Sequence, residues 1–284
     1  ERGPIFFYTG NEANVELYVN ATGLMWENAA KFGALLVFVE SRFYGESRPF
    51  FGRPEGGGWQ PVTYEPWQLR YLSVEQVLAD YAAVSAAIRE QHAGAADAAV
   101  IAFGGSLGGM YASWLRMKYP SAVDGAIAGS APILSFEAEQ PASDVGGYAE
   151  GVTYDATPAA GTGAAAACAD NVRAAWPALF SLGKEGTAAA YARLASIFRL
   201  CPRPGGAAPL ASLNDVYTLA YWAQAAFDYM AMGNFPYTSS YILNDQGSLP
   251  AFPMTVACRA MANVTAAFRT DTGALLAGLR DAVS

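Results

Sequence analysis

Histidine is nearly absent from this sequence: His92 is the single imidazole in 284 residues. Cysteine is scarce too, with Cys168, Cys201 and Cys258 and no C-x-x-C pair. One histidine and three dispersed thiols do not make a zinc ligand set at the usual spacings, so no metal and no cofactor is expected. Charged residues are only 15% of the chain against 53% hydrophobic, a balance that supports a sizeable core and excludes general disorder. The net charge is −8 with no Lys/Arg-rich run, so nucleic acid is not an expected partner. Nor is a membrane: the longest small-residue tracts, such as Ala164–Ala167, are broken by polar groups well short of a bilayer span. The chain opens Glu1-Arg2-Gly3-Pro4 without a Met, so the natural N-terminus is expected upstream.

The thiols have two readings. They are either buried free thiols, as in a cytosolic protein, or disulfides of a secreted protein with at least one partner missing, because the count is odd. The sequons Asn20-Ala21-Thr22 and Asn263-Val264-Thr265 favour the second, and both asparagines are expected on the surface and glycosylated.

What the chain has in quantity is patterned apolar sequence. Residues 4–9 (PIFFYT), 34–39 (ALLVFV), 98–103 (AAVIAF) and 124–128 read as strands, the first three apolar enough to be buried. Helical spacing fills 22–33, closed by Gly33. It also fills 73–91, where Ser73 and Gln76 form a capping-box pattern, and 107–118, which Pro120 stops. Such alternation predicts a parallel sheet covered on both faces, with right-handed crossovers. Beyond Phe136 strands become rare. Residues 138–167 are rich in Ala, Gly, Pro and Thr, and helical patterns follow at 168–181, 187–199, 212–232 and 255–267.

Residues 104–108 read Gly-Gly-Ser-Leu-Gly, a G-x-S-x-G match lying between an apolar strand and a helix. At such a junction a serine occupies a sharp turn, Gly104 and Gly108 leave room for the colliding backbones, and the hydroxyl of Ser106 stands clear. The Leu107 N–H, at the helix start, is placed to meet a developing oxyanion. A Gly-rich phosphate-binding turn is the competing reading. It is disfavoured by the lack of a P-loop Lys-Ser/Thr ending and of dinucleotide-fingerprint spacing. A second oxyanion donor is sought in the loop after the first strand, Gly10-Asn11-Glu12, which reads equally as a plain turn. His92 precedes Ser106 at a helix end and is not a credible base, and Asp124, Asp144 and Asp155 have no convincing place as the acid.

Five blocks carry a resemblance: FFYTGNE (6–12), ALLVFVESRFYGESRPF (34–50), LSVEQVLADYAAV (72–84), IAFGGSLGGMYASWLRMKYP (101–120) and GAIAGSAPI (125–133). Together they are similar to the proline-directed serine exopeptidases that include lysosomal Pro-X carboxypeptidase and dipeptidyl peptidase II. The resemblance implies an α/β fold: an α/β-hydrolase-type parallel sheet, incomplete here, in residues 1–136, and a mainly helical cap or insertion in residues 137–284. It implies cleavage after proline in peptide substrates with proline near a terminus, and lysosomal, vacuolar or secreted glycoproteins with disulfides. A homodimer is left open. By motif match Ser106 is the nucleophile, Leu107 serves the oxyanion hole, and Met110 lines the proline pocket; Asn11, in the loop after the first strand, is taken as the second oxyanion donor. Glu12 lies near the substrate terminus and Tyr44 flanks the site. The chain departs from the family pattern in having Leu107 for Tyr, Ser41 for His and Ala13-Asn14 for Gly-Asp. The catalytic Asp and His are expected beyond Ser284, so the 284-residue chain alone is expected to be inactive. TGLMW (22–26) and ESRPF (46–50) resemble the carboxypeptidase branch more closely. An esterase or lipase on the same fold, and a hydrolase-like binding protein without a base, are the competing functions.

Overall fold

The structure is a computed structural model and describes residues 3–51, 63–92, 94–139, 144 and 146–284. Part of the Ala/Gly/Pro-rich stretch after Phe136 therefore lies outside the described residues. The chain divides into two compact units, Glu1–Ser143 and Asp144–Ser284.

The first unit runs β1 (Ile5–Thr9), α1 (Val15–Ala21), α2 (Gly23–Phe32), β2 (Leu35–Val39), α3 (Pro66–Leu69), α4 (Val74–Gln91), β3 (Val100–Gly105), α5 (Leu107–Lys118) and β4 (Gly125–Gly129). The four strands form one parallel sheet in the order β2-β1-β3-β4. In that sheet all strands end on the same edge, so Gly10, Glu40, Ser106 and Ser130 emerge together there. This is where open α/β sheets place their chemistry.

Strand alternation sorts β1 and β3 onto two faces. Ile5, Phe7, Val100 and Ala102 pack with Val77, Leu78 and Tyr81 of α4 and Tyr111, Ala112 and Leu115 of α5. On the other face Phe6 meets Phe103 and Phe32, with ring centroids 5.0 and 5.9 Å apart, and Tyr8 meets Phe38 at 5.5 Å. Both central strands are thus buried on both faces, as their apolar runs predict. The expectation fails for 34–39: in β2 Leu35 is 41% exposed and the other residues are half-buried. Among the described residues β2 and β4 each pair on one side only, which leaves the apolar run of β2 part-covered.

The capping box at Ser73 is half right. Ser73 Oγ accepts from the Gln76 N–H, but the Gln76 side chain turns away and accepts from Arg42. The short helices α1 and α3 escape the sequence pattern. In α1 the Asn14 side chain caps the Glu16 N–H, yet the helix has only 7 residues, too few to show a period.

The second unit is helical: α6 (Gly147–Asp155), α7 (Cys168–Lys184), α8 (Ala188–Ile197), α9 (Leu213–Met232), α10 (Pro253–Ala260), α11 (Ala266–Thr270) and α12 (Thr272–Ala282). Its core gathers Leu179, Leu194, Val216, Met254, Leu275 and Leu279. Among the described residues its strand-like pairing is the isolated bridge Ser239–Leu249. The single helix expected over 255–267 is two helices, and buried polar groups explain the break. Asn171, fully buried, donates to the carbonyls of Met261 and Asn263 at 2.8 Å each and accepts from Arg269. Those carbonyls are held outward from any continuous ladder, and Thr265 starts α11 as its N-cap. Helix α7 continues past the expected end at 181 to Lys184 and carries Pro177 within it.

A disulfide joins Cys168 to Cys258, across a sequence separation of 90, while Cys201 is free and exposed. Asn20 and Asn263 are both exposed. A loop of this length makes the cross-link a large constraint on the unfolded chain. C168A/C258A is expected to destabilise the helical unit by about 2–5 kcal/mol in urea denaturation. An unchanged midpoint would show that the bond contributes nothing to this unit.

Candidate active site

The candidate site is built around the turn between β3 and α5. Ser106 sits at φ 53°, ψ −123°, a conformation that costs an L-residue free energy and persists only where its surroundings enforce it. Two close approaches do the enforcing. A Cβ on Gly104 would lie 2.1 Å from the Gly108 carbonyl oxygen, and one on Gly108 would lie 2.4 Å from the Thr9 carbonyl oxygen. Strand, helix and the end of β1 therefore meet backbone to backbone. Thr9, fully buried, ties the three together: its hydroxyl is 3.0 Å from the Phe103 carbonyl oxygen and 2.8 Å from that of Gly108. The Ser106 N–H donates to the Gly129 carbonyl at 2.9 Å, and the Ser106 carbonyl accepts from Met110 at 3.0 Å. The backbone is fixed on both sides while the residue itself is exposed.

Leu107 is the first residue of α5, and the N–H groups of an initial helical turn have no intrahelical acceptor. They bring the positive end of the helix dipole to the serine. Asn11, also buried, lies against that turn. Its Oδ1 would be 3.2 Å from a Cβ on Gly108, and it accepts weakly from the Tyr8 hydroxyl at 3.4 Å. Met110 lies one turn into α5 and is half-buried, on the face of the helix that Ser106 begins.

Glu12 and Tyr44 come together, with Tyr111 of α5 beside them. Burial pushes the Tyr44 hydroxyl up, and the charge of Glu12 pushes it further. Tyr111 is pushed up to about 12, by burial first and then by Tyr44 and Glu12. The loop carrying Tyr44 is pinned by Glu40, whose carboxylate accepts from the N–H groups of Val15, Glu46 and Ser47 at 2.6–2.9 Å. Next to it Arg42 makes a two-pronged bond to Asp80 of α4, 2.6 Å on each arm. Ser41, fully buried, lies beside the hydroxyls of Tyr81 and Tyr111 and acts on both.

The other titratable candidates fall elsewhere. His92 is the exposed C-cap of α4, which leads into the start of β3, whereas Ser106 follows its end. Six residues of strand separate those ends by about 20 Å. Asp124 sits at the same remote end, accepting from the Val100 N–H at 2.8 Å and pairing with Arg89. Asp144 accepts from Gly146 and Gly147 at the start of α6, and Asp155 ends that helix. In the helical unit, α6, α7, α9 and α10 enclose a separate apolar cavity of about 660 Å³, lined by Trp176, Phe180, Tyr221 and Met254 among others. None of the residues singled out in the sequence lines it. Among the described residues no group of three or more His, Cys, Asp or Glu is disposed to hold a metal.

Thr9, Tyr81 and Tyr111 are the residues that sequence reading passed over as core. Thr9 is a polar residue ending an otherwise apolar strand, and that is the one signal that marked it.

The collision distances make a sharp test. Gly104→Ala is expected to cost about 3 kcal/mol, because the three atoms its Cβ strikes, the Gly108 carbonyl carbon and oxygen and the Thr9 hydroxyl oxygen, are all held in place. Gly105→Ala, whose Cβ would meet nothing within 4 Å, is expected to shift stability by less than about 1 kcal/mol. Thermal or urea melts of the two variants check this, and equal effects would contradict the packing described.

The family profile for serine carboxypeptidase S28 matches residues 1–274. The lysosomal Pro-X carboxypeptidase of Bos taurus is 37% identical over 257 residues, covering 90% of this chain and 46% of its own length. Its Homo sapiens counterpart is 36% identical over 261 residues, covering 92% and 47%. The prolyl carboxy peptidase like protein 5 of Caenorhabditis elegans is 38% identical over 258 residues, covering 90% and 46%. The chain thus spans about half the length of the curated relatives it matches. The parallel sheet with its strand–serine–helix turn and the match along nearly the whole chain agree: this chain belongs to the serine carboxypeptidase S28 family.

Proposed function

We propose that the whole protein is a serine exopeptidase that cleaves peptide bonds after proline, with Ser106 as its nucleophile. The observation that carries this reading is the exposed Ser106 held at φ 53° between β3 and α5 by glycine-only backbone contacts. Ser106 Oγ attacks the carbonyl carbon of the bond after proline. The carbonyl oxygen becomes the oxyanion and accepts from the N–H groups of Leu107 and Asn11. A base takes the serine proton and returns it to the leaving amine, and water then hydrolyses the acyl-enzyme. Met110 lines the pocket for the proline ring, while Glu12 and Tyr44 address the substrate terminus. His92 stands at the wrong end of β3 for this work and is not assigned as the base.

In this reading residues 1–136 belong to the hydrolase core and residues 137–284 to its helical insertion. The carboxypeptidase branch is favoured over dipeptide release, since the relatives named as Pro-X carboxypeptidases align over nine-tenths of this chain. A lysosomal or secretory route fits the disulfide, the two exposed sequons and the word lysosomal in those names.

The test is a pair of substrates given to the full-length protein and its Ser106→Ala variant. One is a blocked peptide ending in Pro-Phe, the other an X-Pro amide with a free N-terminus. Release of Phe from the first, lost in Ser106→Ala by on the order of 10⁶, is the expected result. Turnover retained in the variant sinks the assignment of Ser106. Release only from the second moves the protein to the dipeptidyl branch, and hydrolysis of simple esters alone would make it an esterase.

A further inference from the structure

Tyr81 is a fully buried side chain of α4, yet its hydroxyl is committed. It donates to the Gly10 carbonyl at 2.5 Å. The ring is held by Phe7 at 6.1 Å and Tyr111 at 6.0 Å, each roughly edge-on, so the position of the oxygen is set by packing. Burial pushes the phenol pKa up, far from ionisation, and the group remains a donor across the working pH range.

The acceptor matters more than the donor. The Gly10 carbonyl belongs to the peptide that joins Gly10 to Asn11. That unit is planar and trans, so the Asn11 N–H points opposite to the Gly10 C=O. With the carbonyl drawn down to Tyr81 in the core, the N–H is turned the other way. The preceding peptide is held as well, since the Gly10 N–H donates to the Val39 carbonyl at 2.9 Å. Among the described residues the Asn11 N–H meets no acceptor. Asn11 itself abuts the first turn of α5, where its Oδ1 lies near Gly108.

We propose that Tyr81 is a positioning residue of the oxyanion hole: its hydroxyl fixes the Gly10–Asn11 peptide so that the Asn11 N–H is presented to the developing oxyanion. The inference rests on the reading of Ser106, Leu107 and Asn11 given above. The plainer alternative is a buried tyrosine whose hydroxyl merely takes the nearest carbonyl. The two differ in what they do to the transition state. A misaimed donor weakens the tetrahedral species and leaves substrate binding alone.

The experiment uses the full-length protein and compares Tyr81→Phe with Ser85→Ala and Ser106→Ala. Ser85 is on the same helix, equally buried, and donates to the Ala122 carbonyl at 2.8 Å, so its loss measures the cost of one buried bond from α4. Tyr81→Phe is expected to lower kcat by about 10-fold or more with KM within about twofold, a fraction of what deleting an oxyanion donor costs. A peptide aldehyde, which forms a tetrahedral adduct with the serine, should lose affinity by a similar factor, while a non-reactive product peptide should not. Ser85→Ala should leave kcat unchanged. Placing 3-fluorotyrosine at position 81 restores the hydroxyl and should restore kcat, which also covers the case in which Tyr81→Phe folds poorly. Turnover lost in Ser106→Ala but unchanged in Tyr81→Phe overturns the inference alone. So does an equal kcat loss in Ser85→Ala, an unmoved ratio of aldehyde to product affinity, or a failed rescue. Turnover surviving in Ser106→Ala overturns the underlying reading, and the inference with it.

Discussion

The close approach of β3 and α5 is the constraint on which the rest of this site depends. Three backbones meet at Gly104, Gly108 and Thr9 with no space for a Cβ at either glycine. A strand that must turn straight into a helix in so little room forces its junction residue into φ > 0, and here that residue is Ser106. Strain of this kind costs of order 1–3 kcal/mol and is sustained by the packing on either side. The Thr9 hydroxyl extends the constraint to β1, so the loop holding Gly10 and Asn11 is registered to the same turn as Ser106.

Around that block the first unit uses charge to fix its loops. Glu40 gathers N–H groups from two segments, and Arg42 spans from the end of β2 to Asp80 of α4. These pairs are partly exposed, so their worth lies in geometry more than in stability. They hold Tyr44 beside Glu12 and Tyr111 at the edge where all four strands end. Tyr81 performs the equivalent task from inside the core, where a neutral hydroxyl can be buried at far lower cost than a charge.

Much of this was legible in the sequence because the signals were local. The bounds of α5 follow from the glycines before Leu107 and from Pro120. The capping of α4 by Ser73 is written in a single residue. The break between α10 and α11 was not legible, since it is made by Asn171, some 90 positions away, reaching two carbonyls. The exposure of β2 was hidden for a similar reason: an apolar run records what a strand can bury, not which neighbours it has. In the site, Ser106 was readable from its motif, whereas Thr9 and Tyr81 look like any polar or aromatic residue in a packed element. Their roles come from a single hydroxyl oxygen meeting distant carbonyls, two for Thr9 and one for Tyr81, and no periodicity encodes that.

Ser106 as the reactive oxygen is the claim from which the other roles follow. The most direct measurement is to react the full-length protein with a fluorophosphonate and locate the adduct by peptide mass spectrometry. A single phosphonyl group on the peptide containing Gly104 to Met110, fragmenting to Ser106, is the expected result. An adduct on another serine, or no adduct on a protein that turns over Pro-X peptides, would contradict it.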